Sequence, residues 1–437
     1  MNRRKAYRVR IYPTPEQEAA FAQIAGCCRL VYNLGLEQRR SFWRQYKAQT
    51  GKPFSQYGQR KELVALKRTA PFLKDVPAHC LQMALIDLDT AFTRFFQGIA
   101  GYPKPRKKFQ NDSFTFPDPK QIRIHAKAGF LVLPKFGKSA RDNGAIRAVF
   151  HRPLRGRIRR VTIAREGTQW YASISVSVRV RRPQADTGFT AGDVVGIDRG
   201  VAVPVATSEG ETLGSPVTTA RDRRKQSRLQ RTLARTRRGS RRRQKALLRL
   251  RAHQARMSRR RRDTCHKITS HLAKNHRVIV IEALRVQAMT GSARGTALEP
   301  GRNVAQKAGL NRAILDVGWG EIRRQLSYKL AWRGGRLVEV PARDTSRTCA
   351  RCHAIDAASR PRRDVFRCTA CGHEDHADIN ASKEIRRRGL SALGLGSRPE
   401  QSGQSVEPSG RDMAMNRKNK NEGSRPRGTP SPHEVTT

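Results

Sequence analysis

Two short apolar runs decide the fold: VVGIDRG at residues 194–200 and HRVIVIEAL at 276–284. Val and Ile crowd the second run with no polar residue alternating between them, as in a strand buried on both faces of a parallel sheet. Each run carries one acid near its end, Asp198 in the first and Glu282 in the second. Burying a carboxylate beside such neighbours is costly unless it faces positive charge. A third acid, Asp378, lies in HADINAS at an expected helix start. Read singly, Asp198 is equally a turn acid ahead of Gly200, and Asp378 is equally an N-cap. Read together, they suit phosphodiester cleavage, which uses two divalent ions about 4 Å apart. Carboxylates are the hard oxygen ligands that Mg²⁺ prefers.

After Asp198 the chain reads as a β-meander: VAVPVATS, a turn at Glu209-Gly210, then ETLG. The most basic stretch follows. Between Arg221 and Arg262 there are twenty Arg or Lys against one Asp. Leu229, Leu233, Leu247, Leu248 and Leu250 give it a thin apolar stripe, interrupted at Gly239-Ser240. That pattern predicts long helices with one side on a core and the rest toward phosphates; a disordered basic arm has the same composition. Residues 290–306 read as loop, Asn311 to Trp332 as helix with Ile314, Leu315, Ile322, Leu326 and Leu330 as its apolar positions, and RLVEV as a strand. Asp316 falls in that helical segment and reads as a structural hydrogen-bonding residue. Asp193 reads as linker polarity.

Cys349-Ala-Arg-Cys352 and Cys368-Thr-Ala-Cys371 are two CxxC pairs with fifteen residues between them. Each tight CxxC turn offers two sulfurs, and two such knuckles complete a tetrahedral thiolate site, closed and structural, for one Zn²⁺. A disulfide pair or an iron–sulfur centre uses the same residues. Gly372 follows the second knuckle and His353 the first, where it is expected to face solvent. Cys27, Cys28, Cys80 and Cys265 are scattered and read as small buried hydrophobes.

Toward the N-terminus, Tyr7, Val9 and Ile11 alternate with Arg8 and Arg10, the period of a half-buried strand. Thr14, Pro15 and Gln17 then spell a helix start with a capping box. Phe21, Ile24, Cys28, Val31 and Leu34 form one helical stripe; Leu81, Leu85, Leu88, Phe92 and Phe95 or Phe96 form another. Beyond residue 100 the segments FLVLPKF, IRAVFH, RIRRVTIAREG and WYASISVSVRV are strand-like, the last preceded by a turn at Glu166-Gly167-Thr168. They predict a small β-barrel or sandwich that the first strand joins. RPQADTGFTAGD is a polar linker, which puts a domain boundary near residue 190. After Gly389 the sequence has no aromatic residue and is rich in Gly, Ser, Pro and Arg, as disordered tails are.

The 437 residues carry 89 Lys and Arg against 35 Asp and Glu, a formal charge of +54. Repulsion on that scale strains a compact chain unless a polyanion neutralises it. The partner is therefore nucleic acid, bound through many phosphate contacts; a solvated basic surface or a ribosomal-type protein carries the same charge. No stretch is long and apolar enough for a membrane span, and the basic start lacks the apolar core of a signal peptide. A non-secreted protein held on nucleic acid is the expectation.

GIDRGVA, VIVIEAL and HADINAS, with TSRTCARC and CTACGHE ahead of the last acid, resemble the TnpB (OrfB) family encoded by small insertion sequences. Type V CRISPR effectors are relatives of that family. GLNRAILDVGWGEIRRQL, PKPRKKFQNDSFTFP and CRLVYNLGLEQR extend the likeness over about residues 5–386. The resemblance implies an α/β multidomain chain. Residues 1–190 would form a recognition region: a β-barrel from 1–13 and 100–190 with a helical insert at 14–99. Residues 191–388 would form an RNase H-like (RuvC) domain, including the basic helices at 221–262 and an inserted zinc ribbon at 345–374. Residues 389–437 would be a disordered basic tail. Asp198, Glu282 and Asp378 would be catalytic and hold two Mg²⁺ ions, with Zn²⁺ on Cys349, Cys352, Cys368 and Cys371. The implied activity is RNA-guided cleavage of double-stranded DNA next to a short motif, with a guide RNA transcribed from the transposon end. A strand-joining transposase and a nuclease-silent regulator are the other readings.

Overall fold

The computed structural model describes residues 2–45, 55–110, 112–136, 144–180, 188–296 and 298–395. The predicted tail from 396 onward and the linker up to residue 187 lie outside the described residues.

Strand β1 (Asn2–Tyr12) buries Tyr7, Val9 and Ile11 on one face, as their spacing requires. Helix α1 (Pro15–Gln45) begins with the expected capping box: Gln17 N donates to Thr14 Oγ1 at 3.2 Å, and Thr14 N donates to Gln17 Oε1 at 3.1 Å. Phe21, Ile24, Cys28 and Val31 are buried, but Leu34 is not. The helical period carries the stripe to Gly35, where Leu85 and Leu88 press so close that a methyl group would lie about 3 Å from each. Those leucines belong to α3 (Ala78–Phe96), which follows α2 (Gln56–Thr69). Leu81, Leu88 and Phe92 are buried with Leu85, while Phe96 projects outward.

The strands β2 (Ser113–Phe116), β3 (Arg123–His125), β4 (Phe130–Val132), β5 (Ala145–Val149), β6 (Arg157–Glu166) and β7 (Gln169–Arg179) join β1 in one antiparallel sheet. Its order is β2-β6-β7-β1-β5-β4-β3, so the first strand of the chain lies between the two segments that come last and midway. Among the described residues, α1, α2 and α3 are an insertion between β1 and β2. Helix α1 packs on the sheet through Phe21, whose ring lies 5.2–5.6 Å from those of Phe114, Phe136 and Trp170.

A second sheet holds β8 (Val194–Asp198), β9 (Val205–Thr207), β10 (Thr212–Leu213), β11 (Val278–Glu282) and β12 (Arg336–Val340), in the order β10-β9-β8-β11-β12. β8, β11 and β12 run parallel; β9 and β10 return as the predicted meander. Between β10 and β11 come α4 (Ala220–Ala234) and α5 (Arg241–Asn275), separated at Gly239-Ser240, with Ser240 capping α5 through a 3.1 Å bond from Arg243 N. The basic stretch is thus helical, and its second helix runs on to bury Cys265, Ile268 and Leu272.

After the short α6 (Val286–Met289), the segment predicted as one helix is two, α7 (Val304–Val317) and α8 (Trp319–Arg333). Gly318, at φ 80°, sits in the left-handed region that other residues avoid and ends the first helix. A β-hairpin of β13 (Val365–Arg367) and β14 (Glu374–His376) precedes α9 (Ala377–Ala392). This last helix continues past Gly389, where the sequence reading started the tail. Gly389 faces the second sheet: a methyl group there would fall 2.2 Å from Val280 Cγ2.

Helices cover both faces of this sheet. Val195, Ile197, Ile279 and Ile281 pack with Ile268 and Leu272 of α5 and Ile322 and Leu326 of α8. Val194, Val278 and Val280 pack on the other side with Ile385 of α9. Such double cover explains the unbroken apolar runs that the sequence shows. All described residues fall within one compact unit, and none of their helices is long and apolar enough to cross a membrane.

Candidate active site and metal centre

The parallel register sets Ile197 opposite Ile281. Asp198 and Glu282 follow as the last residues of β8 and β11, so they stand side by side at the carboxyl edge of the sheet. Open α/β sheets bind ligands at that edge, outside the strand ends. Asp378 reaches the same place by another route. Helix α9 crosses directly over β8, where a methyl group on Gly196 would lie 2.2 Å from the Ser382 carbonyl. The first turn of α9 then lies beside the chain leaving β8: a methyl group on Gly200 would sit 3.7 Å from Asp378 Oδ2. The Asp378 amide donates to the cap residue His376 at Nδ1, 3.3 Å away.

The three acids share one electrostatic environment. Burial pushes the Asp198 carboxyl up to about 7, and the neighbouring charges of Glu282 and Asp378 add to the rise. A desolvated acid flanked by two others is short of positive charge, which a divalent cation supplies. Two arginines border the group, and sequence reasoning singled out neither. Arg199, only 3% exposed, donates to the Glu282 carbonyl and to the Trp319 carbonyl at 3.5 Å. Its signal was a cation placed directly after an acid in an apolar strand. Arg360 extends from between the two knuckles to within 3.5 Å of Asp378 Oδ1; no spacing rule points to it.

Asp316 stays out of this group. It accepts from Thr218 N at 3.1 Å and Thr218 Oγ1 at 2.6 Å, and pairs with Arg261 at 3.2 Å, tying α7 to the segments around α4 and α5. Asp193 is more than linker polarity. It completes a capping box with Thr190 and pairs with Arg277 at 3.5 Å.

The four knuckle cysteines come together. Their sulfurs all lie within 4.8 Å of one another, with Cys349–Cys371 at 3.8 Å and Cys352–Cys368 at 3.5 Å. A metal with four bonds of about 2.3 Å has sulfur edges near 3.8 Å, whereas a disulfide closes to about 2 Å. The arrangement fits a tetrahedral metal. The two knuckles match in backbone: His353 N donates to the Cys349 carbonyl and Gly372 N to the Cys368 carbonyl, both at 3.0 Å. His353 (φ 64°) adopts the same left-handed conformation as Gly372 (φ 68°). A hydrogen bond from the Cys371 backbone holds the Cys368 thiol down to about 6, ready to bind as thiolate. The scattered Cys27, Cys28, Cys80 and Cys265 are all buried.

A separate groove joins the first sheet to α5. Arg8, Arg10, Tyr12, His151, Tyr171, Arg259 and Arg262 line it. The Arg8 guanidinium lies 4.2 Å over the Tyr171 ring, and Arg10 lies 4.6 Å over Tyr12. Cations layered with aromatic faces form the surface that takes up phosphates and bases.

The comparisons with known proteins follow this anatomy. Residues 173–293 match a family model described as "Probable transposase". Residues 319–385, which contain all four knuckle cysteines and Asp378, match "Cas12f1-like, TNB domain". Residues 1–48 match "Helix-turn-helix domain"; the described part of that stretch, residues 2–45, holds β1 and the long helix α1. The chain is 35% identical over 400 residues to "Putative RNA-guided DNA endonuclease InsQ" of Escherichia coli (strain K12), covering 91% of this chain and 95% of the relative. The chain belongs to the TnpB (OrfB) family. A second relative of this TnpB-family chain, "Putative RNA-guided DNA endonuclease" of Streptomyces pristinaespiralis, is 30% identical over 414 residues, covering 91% of this chain and 92% of the relative. This chain shares its fold with Cas12f1, solved as a complex with single-guide RNA and target DNA. That match has a TM-score of 0.52 at 12% identity and covers 88% of this chain and 99% of the other.

Proposed function

We infer that this TnpB-family chain is an RNA-guided DNA endonuclease encoded by an insertion sequence. We further propose that it cuts double-stranded DNA by metal-dependent hydrolysis in an RNase H-like (RuvC) domain, with Asp198, Glu282 and Asp378 as the catalytic carboxylates. The observation that supports the site assignment is that Glu282 and Asp378, 84 and 180 positions further along the chain, both come near enough to Asp198 at the end of β8 for their charges to add to the rise that burial gives its carboxyl.

Two Mg²⁺ ions bound there would activate a water and stabilise the leaving oxygen of an in-line displacement. The chain's own residues build the seat for them. Parallel pairing fixes Asp198 against Glu282, and the glycine-mediated approach of α9 fixes Asp378. Burial strips Asp198 and Glu282 of competing water, so that a divalent cation is the charge partner they lack. Arg360, beside Asp378, offers positive charge at the edge of the seat, where a phosphate would enter. Cleavage at such a site leaves 3′-hydroxyl and 5′-phosphate ends. One Zn²⁺ held by Cys349, Cys352, Cys368 and Cys371 would keep the knuckles folded.

The curled seven-stranded sheet, as an N-terminal β-barrel with its helical insert, would recognise the nucleic acid. The arginines of α4 and α5 would line a channel for guide RNA and heteroduplex, read by backbone and shape rather than sequence. The guide would derive from the transposon end, and the protein would work in the bacterial cytoplasm, on the nucleoid when bound to DNA.

The test is to purify the protein from cells carrying its element, sequence the RNA that accompanies it, and offer a DNA library with a randomised flank and Mg²⁺. Cleavage confined to guide-matched DNA beside one short motif is the expected result. Strand-transfer products would instead favour a transposase, and intact target DNA a binding-only role.

A further inference from the structure

The Glu282 carboxylate is held by a residue outside its own strand. Thr345, 2% exposed, donates its hydroxyl to Glu282 Oε1 at 2.5 Å. Thr345 lies in the segment 341–350 that leads from β12 into the first cysteine knuckle. Helix α9, which carries Asp378, pins that segment at both ends. Arg388 donates to the carbonyls of Pro341 at 3.0 Å and Arg343 at 2.7 Å. Asn380, fully buried, donates to the Thr348 carbonyl at 2.8 Å and accepts from Ala350 N at 2.9 Å. Arg388 is itself oriented by the fully buried Glu384, 2.7 Å away.

We propose that Thr345 is a positioning residue that orients the Glu282 carboxylate for cation binding, and that α9 and the first cysteine knuckle hold Thr345 in place. The inference rests on the reading of Asp198, Glu282 and Asp378 as the cation seat. Its physical basis is simple. A carboxylate on a strand end turns freely about its last torsion. A short, charge-assisted hydrogen bond to one oxygen fixes the plane and so the direction of the other. Partners of this kind around metal ligands typically matter ten- to hundredfold in metal affinity. The segment's two anchors on α9 mean that Glu282 and Asp378 are set by a common support, although 96 residues separate them.

The experiment uses the full chain with its co-purified RNA, as wild type and as Thr345→Val, Thr345→Ser and Glu282→Gln. Valine keeps the shape and removes the hydroxyl; serine keeps the hydroxyl. Mn²⁺ binding is read without DNA from the electron paramagnetic resonance of the free ion. Cleavage against Mn²⁺ concentration, DNA binding, and zinc content by mass spectrometry are measured alongside. Thr345→Val is expected to weaken Mn²⁺ binding roughly tenfold or more and to shift the cleavage curve equally, with zinc and DNA binding unchanged, while Thr345→Ser returns toward wild type. Wild-type Mn²⁺ binding in Thr345→Val, with Glu282→Gln impaired, overturns the positioning role and leaves the site reading standing. Loss of zinc together with Mn²⁺ binding in both Thr345 variants also overturns it, since the hydroxyl then serves folding. Wild-type cutting by Glu282→Gln overturns the site reading itself and the inference with it.

Discussion

The two sheets solve opposite problems. In the antiparallel sheet, β7 alternates buried and half-exposed residues along most of its length, so one face makes a core and the other, polar, borders the groove against α5. On that side of the molecule arginines and tyrosines interleave, and Arg8, Arg10 and Tyr171 open toward solvent in a groove. In the parallel sheet, β11 is buried at all five positions and β8 at its first four. Nothing polar can sit along such strands, so polar chemistry is confined to their ends. A one-sided sheet spreads function over a surface; a two-sided one concentrates it at an edge.

If that contrast is sound, the largest effect belongs to the edge. Asp198→Ala should lower the cleavage rate on the order of 10³-fold or more, with nucleic-acid binding retained in a gel-shift assay. A variant that cuts normally removes the edge from the mechanism. Next is the metal centre packed beside it. Cys349→Ser should lose bound zinc by mass spectrometry and lower the melting temperature, because metal binding energy is folding energy in such ribbons. An unchanged zinc content and melting curve would separate the knuckles from the edge they adjoin.

Gly389→Ala tests the double cover. A methyl group placed 2.2 Å from Val280 Cγ2 must displace α9 or the sheet, at about 1–3 kcal/mol, measurable by denaturant unfolding. Full stability would mean that the second face is looser than the packing implies. The groove between the antiparallel sheet and α5 comes next. Arg259→Ala with Arg262→Ala should reduce the slope of log affinity against log salt by about 0.7–0.9 for each phosphate that is no longer neutralised, leaving the rate of cutting by bound enzyme unaltered. An unchanged slope would take the groove out of the nucleic-acid path. The smallest effect is expected at Leu34→Ala, within about 0.5 kcal/mol, against about 2–5 kcal/mol for the neighbouring buried Leu36→Ala.

Much of this was legible because it is local. The cap at Thr14 and Gln17, the break at Gly239-Ser240 and the twin CxxC turns depend on neighbours in sequence. So does the buried character of VIVIE. Misreadings arose where a helix meets something distant. Leu34 looked apolar and correctly spaced, but Gly35 receives α3. Gly318 divides a helix whose apolar period runs on through it. Gly389, read as the start of a tail, is the point at which α9 touches the sheet.

By itself the sequence determined the kinds of element, the four paired cysteines, the polyanionic partner and the three suspect acids, because periodicity, spacing and charge are properties of a linear chain. Only the tertiary structure decided that Ile197 aligns with Ile281, that α9 presses onto Gly196, and that Arg199, Arg360 and Thr345 border the acids. Helix α9 and β8 meet across 192 positions of sequence, from Arg386 to Val194. Such meetings follow from strand register and helix approach, which are fixed by packing across the whole core rather than by any one stretch of residues.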